Sequence, residues 1–308
     1  MGNACGGDST VPTVDDPADF EEYFPDFAAR AEQRAALLAH AAAKRETRTT
    51  ASAKTVREVL QNRLIHELLN PCCPEGECLA LVLDKHGASV LASIAKMSDV
   101  MFPEGTVAIV QNLERKREPS PLMEAVYFVE PTLANIDLIK VDFPARRTRP
   151  NMYYGVHILF TSRAPANVVE HLKGSERLLQ HLLTVADANL DAVALEPKAF
   201  HFGMPKAMPQ LYSKSMNQRQ RLDVQQLVVD RLVGLCLSLH EYPLIRFRTE
   251  NTTTQGIATK LQEKMNRHMA DDKDFWYHGM ERESAMERGT LILVDRREDL
   301  VAPLMHEV

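Results

Sequence analysis

Residues 79–97 read LALVLDKHGASVLASIAKM. Leu79 to Leu83 are apolar without alternation, which suits a strand buried on both faces, as in parallel sheets. Asp84 closes that strand, and from Val90 the pattern turns helical. The turn between them, DKHGAS, holds a single glycine, Gly87. A nucleotide-binding turn of this kind needs several glycines, so that backbone N–H groups can approach phosphate. The stretch therefore predicts a parallel α/β sheet whose first crossover lacks a phosphate cradle.

The pattern repeats outward. TVAIV (106–110), AVYFV (125–129), VHILF (156–160) and DAVAL (191–195) read as further buried strands. Helical stretches separate them, among them ANIDLIKVDF (134–143) and ANVVEHLKGSERLLQHLL (166–183). VREVLQNRLIHELL (56–69) leads in with Val56, Val59, Leu60, Leu64 and Leu68 at helical spacing. Strand–helix alternation with right-handed crossovers gives a Rossmann-like or flavodoxin-like domain with a parallel five-stranded sheet, over 51–188.

A second, incomplete α/β domain is expected over 189–288. It has a strong amphipathic helix from Leu222, with Val224, Leu227, Val228, Leu232, Leu235 and Leu239 as its stripe and Pro243 as its stop. LIRFR (244–248) reads as a strand, IATKLQEKMNRHM (257–269) as a helix, 270–289 as a polar linker and LILVD (291–295) as a last strand.

Composition narrows the function. The 308 residues carry a net charge of −6, so no basic field recommends nucleic acid as a partner. No apolar run reaches the roughly 20 residues a membrane span needs. Five cysteines suit a reducing cytosol better than a disulfide scaffold. Three of them, Cys72, Cys73 and Cys78, fall in NPCCPEGEC, which reads as a Pro/Gly loop. A structural metal site would need a fourth ligand and other spacing. No metal and no cofactor is expected.

The first 50 residues form an arm: an acidic, proline-bearing stretch expected to be disordered, then an alanine-rich helix from Asp26. Gly2 and Cys5 partly fit a myristoylation signal with a second acylation site, although Gly6 stands where the stricter pattern wants Ser or Thr. An unmodified tail is the alternative.

No G-x-G-x-x-G, P-loop, G-x-S-x-G or H-E-x-x-H pattern is present. Asp295, Asp299 and His306 could serve as an acid/base group, but an Asp at a strand end more often caps the next turn and pairs with a neighbouring Arg. The basic run Arg115, Lys116, Arg117, held between Glu114 and the prolines at 119 and 121, reads as a solvated loop or a docking surface.

Several blocks together resemble one family. LVLD, LASIAKMSDVM, ERKREPSPLMEAVYFVEPT, VHILFTSRAP, LCLSLHEYPLIRFR and LILVDRREDLVAPLMHE occur in the order found in SM proteins, the Sec/Munc-type syntaxin-binding regulators of SNARE-mediated fusion. The likeness runs from Val56 to Glu307. It implies a non-enzymatic clamp for syntaxin and SNARE complexes in vesicle docking and exocytosis, cytoplasmic and peripheral at membranes. It implies a syntaxin-facing surface of Asp84, Ser89, Lys96, Gln111, Arg115, Lys116, Arg117 and Glu118. Ser89 stands where the family is often basic, and Gln111 where it is often acidic. A pocket for a syntaxin N-terminal peptide would involve Val169, Leu182, Val185 and Asp187, with Val169 replacing the usual aromatic. Asp295, Arg296, Asp299, Pro303, His306 and Glu307 would form the structural entry to a third domain, over 289–308. The family continues well past this motif, so the chain is expected to be a fragment or a truncated gene product whose second domain has exposed apolar faces.

Overall fold

The computed structural model describes residues 55–73, 78–101, 105–144, 150–271, 288–299 and 301. The N-terminal arm, with Gly2 and Cys5, lies outside them, as do Pro303, His306 and Glu307.

The chain enters through α1 (Val56–Asn62), capped by Thr55 and Glu58 in a reciprocal box. It runs on as a π-helical stretch, Arg63–Leu69, and a last turn, Asn70–Cys72. Then follow β1 (Leu79–Leu83), α2 (Lys85–Ile94), α3 (Met97–Val100), β2 (Val107–Asn112), β3 (Ser120–Val129) and α4 (Leu133–Asp142). After these come β4 (Tyr153–Phe160), α5 (Ala166–Lys173), α6 (Glu176–His181) and β5 (Leu182–Asp187). The five strands are all parallel and lie in the order β2-β1-β3-β4-β5. That is the flavodoxin-like order, with its topological switch point between β1 and β3.

Successive side chains on β1 enter different cores. Leu79, Leu81 and Leu83 pack with α1 and α2, whereas Ala80 and Val82 pack with α4, α5 and α6. Both faces are covered, which is why β1, the C-terminal half of β3 and β4 are buried throughout. The connection from β2 to β3 has no helix. Residues 113–119 form a strap that crosses the α4 side of the sheet.

The fifth strand differs from the sequence expectation. It is Leu182–Asp187, whose first two residues are read above as the end of a helix, whereas 191–195 contributes to an antiparallel hairpin, β6 (Val193–Glu196) with β7 (Ala199–His201). His181 ends α6, and β5 is an edge strand with Val185 and Asp187 exposed, so it lacks the doubly apolar signature of the inner strands.

The second unit comprises α7 (Ala207–Tyr212), α8 (Gln218–Leu239), β8 (Leu244–Phe247), α9 (Thr252–Asp271) and β9 (Thr290–Leu293). Asn217 and Gln220 cap α8 reciprocally, and it ends at His240 in a left-handed conformation (φ 54°), three residues before Pro243. Its core-facing stripe is shifted from the one expected. Val229, Leu232, Val233 and Cys236 face α9, β8 and β9, while Leu227 is exposed. Burial pushes the Cys236 thiol up to about 12. Strands β8 and β9 form a parallel pair whose inner residues Ile245, Leu291 and Leu293 pack on α8 and α9. Its other face leaves Leu244, Ile292 and Val294 exposed among the described residues.

Candidate functional site

In flavodoxin-like sheets, ligands sit in the crevice beyond the carboxyl ends of the strands, at the switch point. Here that position is closed by the chain itself. Asp84 follows β1 and caps α2, with Oδ1 accepting from Gly87 N–H at 2.7 Å. Its Oδ2 accepts from Glu130 N–H at 2.8 Å, just past β3, and from Asn135 Nδ2 at 2.7 Å, on α4. The buried carboxylate thus takes the N–H groups that a phosphate would seek at a helix N-terminus. Gly87 is needed for closeness, because a Cβ there would lie 2.4 Å from the carbonyl oxygen of Phe128.

Above this plug, four charged side chains meet. His86 Nε2 bonds Asp191 Oδ1. Arg231 comes from α8 and places Nε 2.7 Å from Asp191 Oδ2 and Nη2 3.0 Å from Glu130 Oε1. Its Nη1 donates to the Phe202 carbonyl. The side chains of Arg231 and Asp191 are 7% and 3% exposed. Burial opposes charge on His86, but the hydrogen bond and charge of Asp191 prevail and push it up. Burial also raises the Glu130 carboxyl. His86, Glu130 and Asp191 have ligand atoms close enough to hold a cation, but the Arg231 guanidinium already pairs with both carboxylates.

Two more residues one and two turns along α8 complete this seam. Leu235 packs into the core between the sheet, α1 and α2, and Ser238 Oγ donates to the Asn189 carbonyl. Arg231, Leu235 and Ser238 are spaced i, i+4, i+7 and form one face of the helix. The opposite face serves the second unit, so a single helix belongs to both cores. Sequence patterning missed this face because it mixes Arg, Leu and Ser.

The surface implied by the family likeness divides in two. Ser89, Lys96, Arg115, Lys116 and Glu118 are exposed. Asp84 is the buried plug, and Gln111 Oε1 accepts from Tyr153 OH at the end of β2. Arg117 turns inward, unlike its two basic neighbours. Its Nη2 lies 2.9 Å from Asp142 Oδ2 with both side chains almost wholly buried, and it also bonds the Leu113 carbonyl. Tyr127 OH donates to the same Asp142 oxygen at 2.6 Å. Burial pushes Asp142 up and would lower Arg117, but the Asp142 charge holds the guanidinium firmly protonated. Arg117 therefore anchors the strap.

At the β5 edge, Val185 lies beside Ile158 and Asp187 beside Phe160, and both remain exposed. Asp187 Oδ1 accepts from Ala164 N–H at 3.0 Å, just before α5, which carries the half-buried Val169. Leu182 opens the strand and packs on the same core.

Asp295 is a structural hub. Its side chain accepts from Tyr212 OH at 2.8 Å on α7, from Asn251 Nδ2 at 2.8 Å before α9, and from Arg297 N–H at 2.9 Å. The Arg297 guanidinium pairs with it at 2.9 Å and stacks 3.8 Å over the Tyr212 ring. Burial works to raise this carboxyl, but these bonds hold it well below the usual carboxylate range. Arg296, the neighbour expected as the partner, instead binds the Asp299 carbonyl. With its oxygens bound by donors on three segments, Asp295 holds a loop together and lacks the freedom of a general base.

Fold and site together define a flavodoxin-like protein whose ligand crevice is occupied by its own Asp84 and sealed by a helix of a second unit. A sequence profile described as the Sec1 family matches residues 80–308, and this chain belongs to that family. It is 33% identical over 258 residues to "Protein transport protein sec1" of Dictyostelium discoideum, covering 83% of this chain and 41% of that protein. It is 25% identical over 265 residues to "SNARE-interacting protein KEULE" of Arabidopsis thaliana, covering 82% of this chain and 38% of that one. Among solved structures it resembles the Unc18–syntaxin 1 complex from Monosiga brevicollis, with a TM-score of 0.66, 25% identity and coverage of 82% of this chain and 41% of that chain. The chain thus spans about two fifths of the length of these relatives.

Proposed function

We propose that this chain is a syntaxin- and SNARE-binding regulator of vesicle docking and membrane fusion, acting as a non-enzymatic clamp. The observation that carries the reading is its likeness to the Unc18 chain solved with syntaxin 1. In this reading the first domain, 51–188, offers the outward residues Arg115, Lys116 and Glu118 of the strap, Ser89 of α2 and Lys96 at the start of α3. Arg117 works from behind, holding the strap so that less order is lost on binding. The cluster at the β5 edge, Val169, Leu182, Val185 and Asp187, would take a syntaxin N-terminal peptide. The Asp295 hub would serve as the structural entry to a third domain. The protein would work in the cytoplasm, peripheral at membranes through its partner or through acylation of Gly2 and Cys5. No helix among the described residues is long and apolar enough to cross a membrane.

Calorimetric titration with the cytoplasmic part of a syntaxin tests the proposal. Binding should weaken about tenfold in the Arg115→Glu, Lys116→Glu double variant, mainly through slower association. Absence of binding to every syntaxin offered, under conditions where a full-length relative binds, would remove the activity and leave the fold.

A further inference from the structure

The seam between the sheet and α8 has an odd charge count. Asp191 and Glu130 bring two negative charges against the single guanidinium of Arg231. Glu130 is partly exposed, but Asp191 is buried, and an unbalanced charge on it is costly. The remaining group that touches the cluster is His86, whose Nε2 sits on Asp191 Oδ1. A protonated imidazole gives Asp191 and Glu130 two cations to share, and a neutral one leaves both to Arg231, while Asp84 below is held by its N–H donors.

The surroundings leave this role to His86. On its own helix Lys85 is exposed, and Asp84 is satisfied by three N–H donors. On α8 the neighbouring Asp230 is paired with Lys264 of α9. From the segment after β7, the Phe202 carbonyl faces Arg231, and a Cβ on Gly203 would lie 3.7 Å from the His86 ring. His201 is exposed and accepts from Gly203 N–H through Nδ1. The charges that act on His86 are those of Asp191, Glu130 and Arg231.

We propose that His86 is a proton-operated latch between the two units: its imidazolium holds Asp191 and Arg231 in register and keeps α8 on the sheet, and its deprotonation loosens that helix. The contribution is full at pH values where the imidazole is protonated in the folded and unfolded chain alike, and is lost as pH rises through the folded-state value. Leu235 and Ser238 remain in contact, so the seam loosens without coming apart.

Hydrogen exchange of the full chain tests this, with rates corrected for the intrinsic effect of pH. Between pH 6.5 and 9, protection of amides 229–238 should fall severalfold, the direction that loss of a proton bound more readily in the folded chain requires. Strands β3 and β4 should keep their protection. In His86→Gln the fall should vanish. An equal fall in His86→Gln, or no fall in the unmodified chain, would overturn the proposal. Should the variant fail to fold, an NMR titration of the unmodified chain decides. The His86 ring and the α8 amides should then share one midpoint, above that of an ordinary histidine, and separate midpoints would also overturn it.

Discussion

Arg231 and Asp191 lie 2.7 Å apart, Nε to Oδ2, at the place where a flavodoxin-like sheet would otherwise receive a ligand. One comes from the long helix of the second unit, the other from the segment that leaves β5. The guanidinium also reaches Glu130 at the end of β3, so one side chain joins three separate parts of the chain. Burial of such a group is tolerated only while its partners are present.

Removing Arg231 should therefore cost far more than a surface charge. In Arg231→Met the aliphatic volume is kept, but Asp191 and Glu130 lose their shared cation. A loss of about 3–5 kcal/mol is expected, the range for breaking a buried pair from one side. Urea unfolding followed by circular dichroism measures it. A change below about 0.5 kcal/mol, the size of an ordinary surface substitution, would show that the seam contributes little.

The plug below the seam makes a steric prediction. At Gly87 a methyl group would stand 2.4 Å from a backbone oxygen of β3, which cannot move without disturbing the sheet. At Gly155 the nearest atom, at 2.5 Å, is the end of the Leu183 side chain, which can rotate. Gly87→Ala should therefore lower the thermal midpoint clearly more than Gly155→Ala, by an overpacking cost of about 1–3 kcal/mol or above. Differential scanning calorimetry of the two variants ranks them, and the reverse order would refute the account.

Much of this fold can be read before any coordinates. The inner strands β1, β3 and β4 announce themselves because burial on both faces leaves a largely apolar run, as in LALVL and AVYFV, and the edge strand β2 still keeps one in VAIV. Strand β5 does not, since Thr184 and Asp187 interrupt its apolar run and Val185 is exposed. Its first residues, Leu182 and Leu183, continue the helical spacing of 166–181. The apolar 191–195 stretch misleads for the opposite reason: Ala192 and Ala194 are buried under α2 in a hairpin outside the main sheet. The seam was invisible because His86 and Asp191 are 105 positions apart, and Arg231 and Glu130 are 101 apart. Only the approach of α8 to the switch point brings them together. Arg117 shows a finer limit, since residue type alone cannot separate an inward arginine from two outward basic neighbours.

His181 gives the chain an acid sensitivity. Its ring is buried against Phe143, with Nδ1 2.8 Å from the Tyr154 carbonyl and Nε2 2.9 Å from the Asn151 amide. The neutral ring donates through Nδ1–H and accepts from Asn151 through Nε2. Burial lowers its pKa against the pull of the Tyr154 bond. With the folded value below the ordinary 6.5, the unfolded chain binds the extra proton first, and stability falls as pH drops below that value. His86 works in the opposite direction and adds nothing to this acid limb. Urea midpoints measured from pH 7.5 to 5 should fall less in His181→Gln than in the unmodified chain, and an unchanged slope would exclude His181 as the cause.

The basic strap separates stability from recognition within three consecutive residues. Arg117 is held by Asp142 and the Leu113 carbonyl, beneath the strap. Its loss in Arg117→Met would leave Asp142 buried with Tyr127 as a remaining donor, at a cost of about 3–5 kcal/mol. Arg115 and Lys116 are exposed, so truncating either to Ala should change stability by no more than about 0.5 kcal/mol. Syntaxin affinity should show a different order. The two surface variants should slow association and flatten its dependence on salt, because exposed charges at a rim act through long-range attraction. Arg117→Met should affect affinity only to the extent that the strap loses order, and lowering the temperature should restore it. Stopped-flow association at two ionic strengths, set beside urea unfolding of the same three variants, distinguishes the roles. If Arg115→Ala destabilised the chain as much as Arg117→Met, the assignment of Arg117 as the anchor would be wrong.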